Sequence, residues 1–164
     1  MGHVITAYVA KISTLTQIAA EYRSAVVIPL GQEFGLLPIT DAFRREAHAP
    51  GGEPIVDIVW TDENILLQFH DITDKLAEIG VAASSMGAVA YIENEYFGGD
   101  GVQGAVVWLN GETVLGPLIS ARMGPISRAL SEIGVQKGTA LDEFDALGLG
   151  KYRSTDDWLK EVKD

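Results

Sequence analysis

Cysteine is missing from all 164 residues, which excludes disulfide staples, thiolate metal sites and a cysteine nucleophile while leaving the redox compartment open. Long apolar runs are missing too, and no stretch approaches the ~20 residues needed to span a bilayer. The opening MGHVITAYVAK has no basic leader running into a long apolar core and no small-residue cleavage site. A soluble, cytoplasmic protein with no membrane partner is expected. Positive charge is scarce in one place in particular. Residues 61–116 hold nine acids (Asp62, Glu63, Asp71, Asp74, Glu78, Glu93, Glu95, Asp100 and Glu112) against Lys75 alone, so this segment carries −8 of the net −11. A field of one sign repels nucleic acid and attracts a basic protein or a cation.

Several signatures of chemistry are absent. The glycines of YFGGDGVQG lack the lysine and hydroxyl of a P-loop, and strand-forming residues follow them where a dinucleotide fingerprint would open a helix. His3, His48 and His70 share no metal-ligand spacing. Ser84 and Ser85 lack the elbow of a hydrolase nucleophile, and Arg122 and Arg128 stand alone as surface bases. No cofactor is expected.

What remains is a chain of about half apolar composition, long enough to bury a core as one domain over 1–164. HVITAYVAKI (3–12) reads as a strand, followed by a helix over 14–23 capped by Ser13. Residues 24–40 are apolar but broken by Pro29, Gly31, Gly35 and Pro38, which suits short extended pieces. Thr40 caps a short helix to about Ala47, and HAPGGEP (48–54) reads as a loop. The strongest periodicity predicts a helix from Asp62 to Ile79, with Ile65, Leu66, Phe69, Ile72, Leu76 and Ile79 on one face, carboxylates on the other, and Gly80 as its end. An antiparallel meander follows over about 87–115: a strand at 87–97, a glycine-rich turn at 98–104, a strand at 105–109, and Asn110-Gly111 as a tight turn into 112–115. Pro125 opens a helix closed by Gly134, and further helices start near 140 and 155. The expected fold class is α+β, an antiparallel sheet with helices packed on one face.

Two readings of the acidic segment compete. Strand alternation puts Glu93 and Glu95 on one face, and Asp100 lies in the turn beyond, so their oxygens could converge on Ca²⁺ or Mg²⁺ in a metal-assisted hydrolase or a small-ligand-binding enzyme. The other reading is a protein-binding patch of Asp71, Asp74, Glu78, Glu93, Glu95, Tyr96 and Asp100. Here Tyr91, Tyr96, Phe97 and Trp108 supply aromatic anchors among carboxylates that face a basic partner.

Three stretches carry a resemblance: PLGQEFGLLPITD (29–41), AYIENEYFGGDGVQGAVVW (90–108) and DEFDALGLGKYRSTDDW (142–158), together about a third of the chain. They resemble an uncharacterised bacterial family of small soluble proteins, similar to the acidic immunity proteins of polymorphic toxin systems. That resemblance implies a cytoplasmic protein that binds and neutralises a basic partner such as a toxin, and it assigns no catalytic residue.

Overall fold

The structure is a computed structural model that describes residues 2–48, 69, 71–97, 100–120 and 124–162, the side chains of Phe97 and Asp100 excepted. Its centre is β1 (His3–Lys11), in which six consecutive residues from Ile5 to Ala10 are buried. A strand covered on both faces reads as a continuous apolar run, and HVITAYVAK is such a run.

From β1 the chain enters α1 (Ile12–Glu21) without a connecting loop. Ser13 is therefore inside the helix. The residue before the first turn is Lys11, which makes no side-chain cap, so the expected Ser13 cap is replaced by a direct strand-to-helix step. The broken apolar stretch forms a hairpin of β2 (Ile28–Gly31) and β3 (Phe34–Pro38). Gln32 and Glu33 both hold positive φ at its tip, a conformation usually left to glycine or asparagine. Gln32 is held by two reciprocal bonds with Gln136: its Nε2 donates to the Gln136 carbonyl at 2.9 Å, and its Oε1 accepts from the Gln136 amide at 2.8 Å. Thr40 does precede α2 (Asp41–His48), where its hydroxyl oxygen accepts from the Phe43 amide at 3.1 Å.

The 62–79 helix needs correction. Residues 62–68 and 70 lie outside the described residues, as does 49–54 of the expected loop. Residues 71–73 are not helical, and α3 runs Asp74–Ala83 with Thr73 as its cap. Gly80 lies inside that helix rather than at its end. A β-carbon there would overlap the Trp108 indole, so the glycine serves close packing of helix on sheet.

The meander is β4 (Val89–Phe97), β5 (Asp100–Leu109) and β6 (Glu112–Ser120). Residues 100–104 pair with β4 as strand, with Asp100 opposite Phe97 and Gly104 opposite Glu93, so the expected seven-residue turn is much shorter. Asn110 and Gly111 make the expected tight turn, both with positive φ. All six strands join one sheet in the order β2-β3-β1-β4-β5-β6, and every described pairing is antiparallel.

After β6 come α4 (Pro125–Glu132), α5 (Glu143–Ala146, capped by Asp142) and a 3-10 turn at Asp156–Glu161. Alternation assigns the two faces of the sheet to different helices. Tyr8, Tyr91, Val106 and Trp108 pack against Leu15, Ile18, Phe43, Leu76 and Ile79 of α1, α2 and α3. Ile5, Ala7, Val9, Ile92 and Val107 pack against Ile126, Ala129, Leu130, Leu149 and Trp158. The fold is α+β, and its helices cover both faces of the sheet rather than one.

Candidate functional site

Two depressions lie on the side of the sheet that α1, α2 and α3 cover. The first is a recess lined by Asp71, Glu93, Asn94, Glu95 and Val102. Antiparallel register puts Thr6 opposite Glu93 and Val4 opposite Glu95, so both carboxylates stand on the Tyr8–Tyr91 face, as strand alternation requires. Glu93 is only 4% exposed. It accepts the Tyr91 hydroxyl at 2.7 Å and the Asp71 amide at 3.1 Å. The Asp71 carboxylate accepts the Thr6 hydroxyl at 2.7 Å, and its carbonyl accepts from Arg44 Nη1 at 2.8 Å. His48 extends the network, bonding the Arg44 carbonyl at 2.7 Å and lying 2.8 Å from the Thr73 hydroxyl. Burial pushes the Tyr91 phenol well above its ordinary range, and the neighbouring Glu93 charge adds to the shift. Burial does the same to Tyr8, whose hydroxyl donates to the Leu76 carbonyl at 2.6 Å.

These bonds tie the start of α3 to the sheet. Among the described residues no group of three His, Cys, Asp or Glu side chains could hold a metal ion. The side chain of Asp100, the third expected ligand, lies outside the described residues.

Other expected site residues are dispersed. Tyr96 is on the opposite face of β4, where its phenol is raised by burial and lowered in part by a hydrogen bond with Gln103. Gln103 caps a helix: its Oε1 accepts the Ile126 amide at 3.1 Å and the Gly124 amide at 3.3 Å at the start of α4. Asp74 stands in the first turn of α3 and is partly buried, while Glu78 is exposed one turn later. Arg122 lies outside the described residues, and Arg128 is exposed on α4.

The second depression is a groove of about 420 Å³ between α1 and α3. Ile18, Ile79 and Ala83, which line it, are buried in the core, Tyr22 is half-buried, and Glu21 on α1 and Glu78 on α3 supply a carboxylate from each wall. Lys75 is the one base among its described lining residues, and Met86, 61% exposed, also lines it. Glu21 and Glu78 make no hydrogen bond or ion pair among the described residues. The α3 end is fixed from two directions. A β-carbon on Gly87 would come within 2.8 Å of the Thr14 hydroxyl oxygen, and Ser84 takes the Asn110 amide on its carbonyl and the Gly111 amide on its hydroxyl, both at 2.9 Å. The groove residues of α1 were not expected as a site. Ile18 and Tyr22 belong to an ordinary core stripe in the sequence, and nothing in the order of residues brings Glu21 opposite Glu78.

No helix among the described residues is long and apolar enough to cross a membrane. No protein-family model, curated protein or solved structure matches this chain.

Proposed function

We propose that this is an acidic binding protein of the immunity type, which covers a basic protein partner such as the nuclease domain of a toxin. The observation that carries the reading is the pairing of charge with shape. Where the −8 segment contributes Glu78, α1 contributes Glu21 across the groove, and neither carboxylate is committed to a base among the described residues. Carboxylates of this kind steer a basic partner and speed encounter. Asp71 and Glu93 have a different part in this reading: the Asp71 carboxylate on Thr6 and the Asp71 amide on Glu93 tie the residues just before α3 to the sheet.

That division selects the variants. Glu21→Lys with Glu78→Lys reverses charge without breaking a structural bond, and Glu132→Lys with Asp156→Lys is the control at exposed sites elsewhere. Association with a panel of basic nuclease domains is measured by surface plasmon resonance at low and physiological salt. The groove pair slows association by about tenfold, salt slows the wild type in the same sense, and the control pair has a smaller effect. Absence of binding to every basic domain at low salt, or equal slowing by both pairs, would overturn the reading.

A further inference from the structure

Along its outer half β1 has a strand on one side only. β4 pairs with it from His3 to Ala10, whereas β3 pairs with Ala7 to Lys11. The amides beyond the reach of β3 are taken by the chain that follows α5: Val4 donates to the Arg153 carbonyl at 2.8 Å and Thr6 to the Thr155 hydroxyl oxygen at 3.0 Å. His3 fastens the same segment, its half-buried ring lying between two oxygens. Nδ1 is 3.1 Å from Asn94 Oδ1, and Nε2 is 3.3 Å from the Leu149 carbonyl oxygen. Both oxygens can only accept. The orientation of the Asn94 amide is fixed by Ile5, whose amide donates to the same Oδ1 at 3.1 Å; turned over, the Asn94 nitrogen would stand against that N–H. A neutral imidazole carries one N–H and closes one of the two bonds, and only the ring with both protons closes both.

We propose that His3 is a proton-operated clasp: with both ring protons it fastens residues 149–155 over the outer edge of β1, and loss of one proton releases one of the two bonds and loosens that cover. Both bonding partners are uncharged, so the number of ring protons, and not an ion pair, decides how many bonds form. The charged and titratable groups on the elements packed around the ring are Tyr96, opposite His3 on β4; Glu143 and Asp145 on either side of Phe144, whose ring meets His3 edge-on with centroids 5.9 Å apart; and Lys151 and Arg153 in the fastened segment. The two acids favour a cationic ring and the two bases oppose it. Asp145 already accepts the Leu141 amide, and Lys151 is bonded to Glu161. The doubly protonated ring makes its additional bond only in the folded chain. The clasp therefore stabilises in acid, and its contribution fades as pH rises through the range in which histidine changes charge, about pH 5 to 8.

Ring protonation of His3 and His48 is read by long-range ¹H–¹⁵N spectra of the labelled protein from about pH 5 to about pH 8. Amide exchange of Val4 and Thr6, corrected for the intrinsic rise of exchange with pH, reads the cover over β1. Protection at both amides is expected to fall about fivefold as His3 loses its second proton, the size of one hydrogen bond. In His3→Gln, which has no ring proton to lose, protection at the same amides is expected to stay constant with pH, near the alkaline value of the wild type. Protection that is unchanged across the His3 titration, that rises with pH, or that keeps its pH dependence in His3→Gln would overturn the proposal. So would a change that follows the titration of His48, which bonds the Arg44 carbonyl and lies beside Thr73, away from this segment. If His3→Gln does not fold, the wild type decides: an exchange midpoint coinciding with that of the His3 ring supports the clasp, and one displaced from it removes the clasp.

Discussion

Glu46 shows how a single carboxylate on α2 can anchor a neighbouring segment. Its Oε1 accepts the Ser24 amide at 2.8 Å and the Ser24 hydroxyl at 2.6 Å, while its Oε2 accepts the Arg23 amide at 2.9 Å. The bonds from Ser24 chiefly lower its pKa below the ordinary glutamate value. A carboxyl depressed in the folded state contributes stability above its unfolded pKa, and that contribution disappears as pH falls through the folded value. Glu46→Gln is expected to unfold at lower urea than the wild type at pH 7, with the two curves converging once the pH is below the folded value. A gap that persists unchanged in acid would show that the clamp works through geometry alone. None of this was legible in the sequence, because Arg23-Ser24 and Glu46 meet only after β2 and β3 have folded back. Glu93 is a partial success of the same kind. Strand alternation gives its face, but its bond from the Asp71 amide depends on the segment before α3 lying over the sheet.

Elements whose identity rests on local chemistry were the easiest to read. Asn110-Gly111, Thr40 before α2, and Pro125 with Gly134 around α4 stand where turn and cap rules place them. Elements decided by tertiary contact were read less well. Gly80 has the sequence signature of a helix end, yet α3 continues past it to Ala83, and the Trp108 ring occupies the space a side chain there would fill. The Gln32-Glu33 tip carries no glycine signal and depends on Gln136, far along the chain. Gly80→Ala follows from the first case. In an exposed helix interior this change stabilises by up to about 1 kcal/mol. Here the indole is buried against Tyr91, with ring centroids 6.4 Å apart, and cannot move away freely. The expected outcome is a loss of about 1–3 kcal/mol in urea unfolding, with a shifted tryptophan emission. A gain in stability would mean that the helix and sheet can separate at this point without cost.

For the whole molecule, the order of strands determines where the sheet opens last. β1 and β4 are flanked on both sides and covered on both faces, whereas β2 and β6 form the edges of the described sheet. Amides of Ala7, Val9 and Ile92 are expected to exchange only through global unfolding, and those of Val114 and Leu115 through local opening, in hydrogen-exchange measurements at several urea concentrations. Uniform protection across the sheet would contradict this gradient. The meander was visible in the sequence as a series of neighbours. The central place of β1 was not, since each of its partners is remote and no periodicity encodes which strands will flank it.

That remoteness bears on how the chain is made. Within β1 and its surroundings, the His3 ring bonds the Asn94 side chain across 91 positions, the Thr6 amide donates to the Thr155 hydroxyl oxygen across 149, and the Val4 amide donates to the Arg153 carbonyl. Synthesis of β1 therefore precedes by about 150 residues the segment that seals its outer end. At about 5–20 residues per second, that strand is exposed for many seconds before its last contacts exist. Chains interrupted before about residue 149 would leave the outer end of β1 without its covering segment, open to pairing with another nascent chain. Chaperone capture of the emerging β1 would then set the yield of native protein more than the stability of the finished fold.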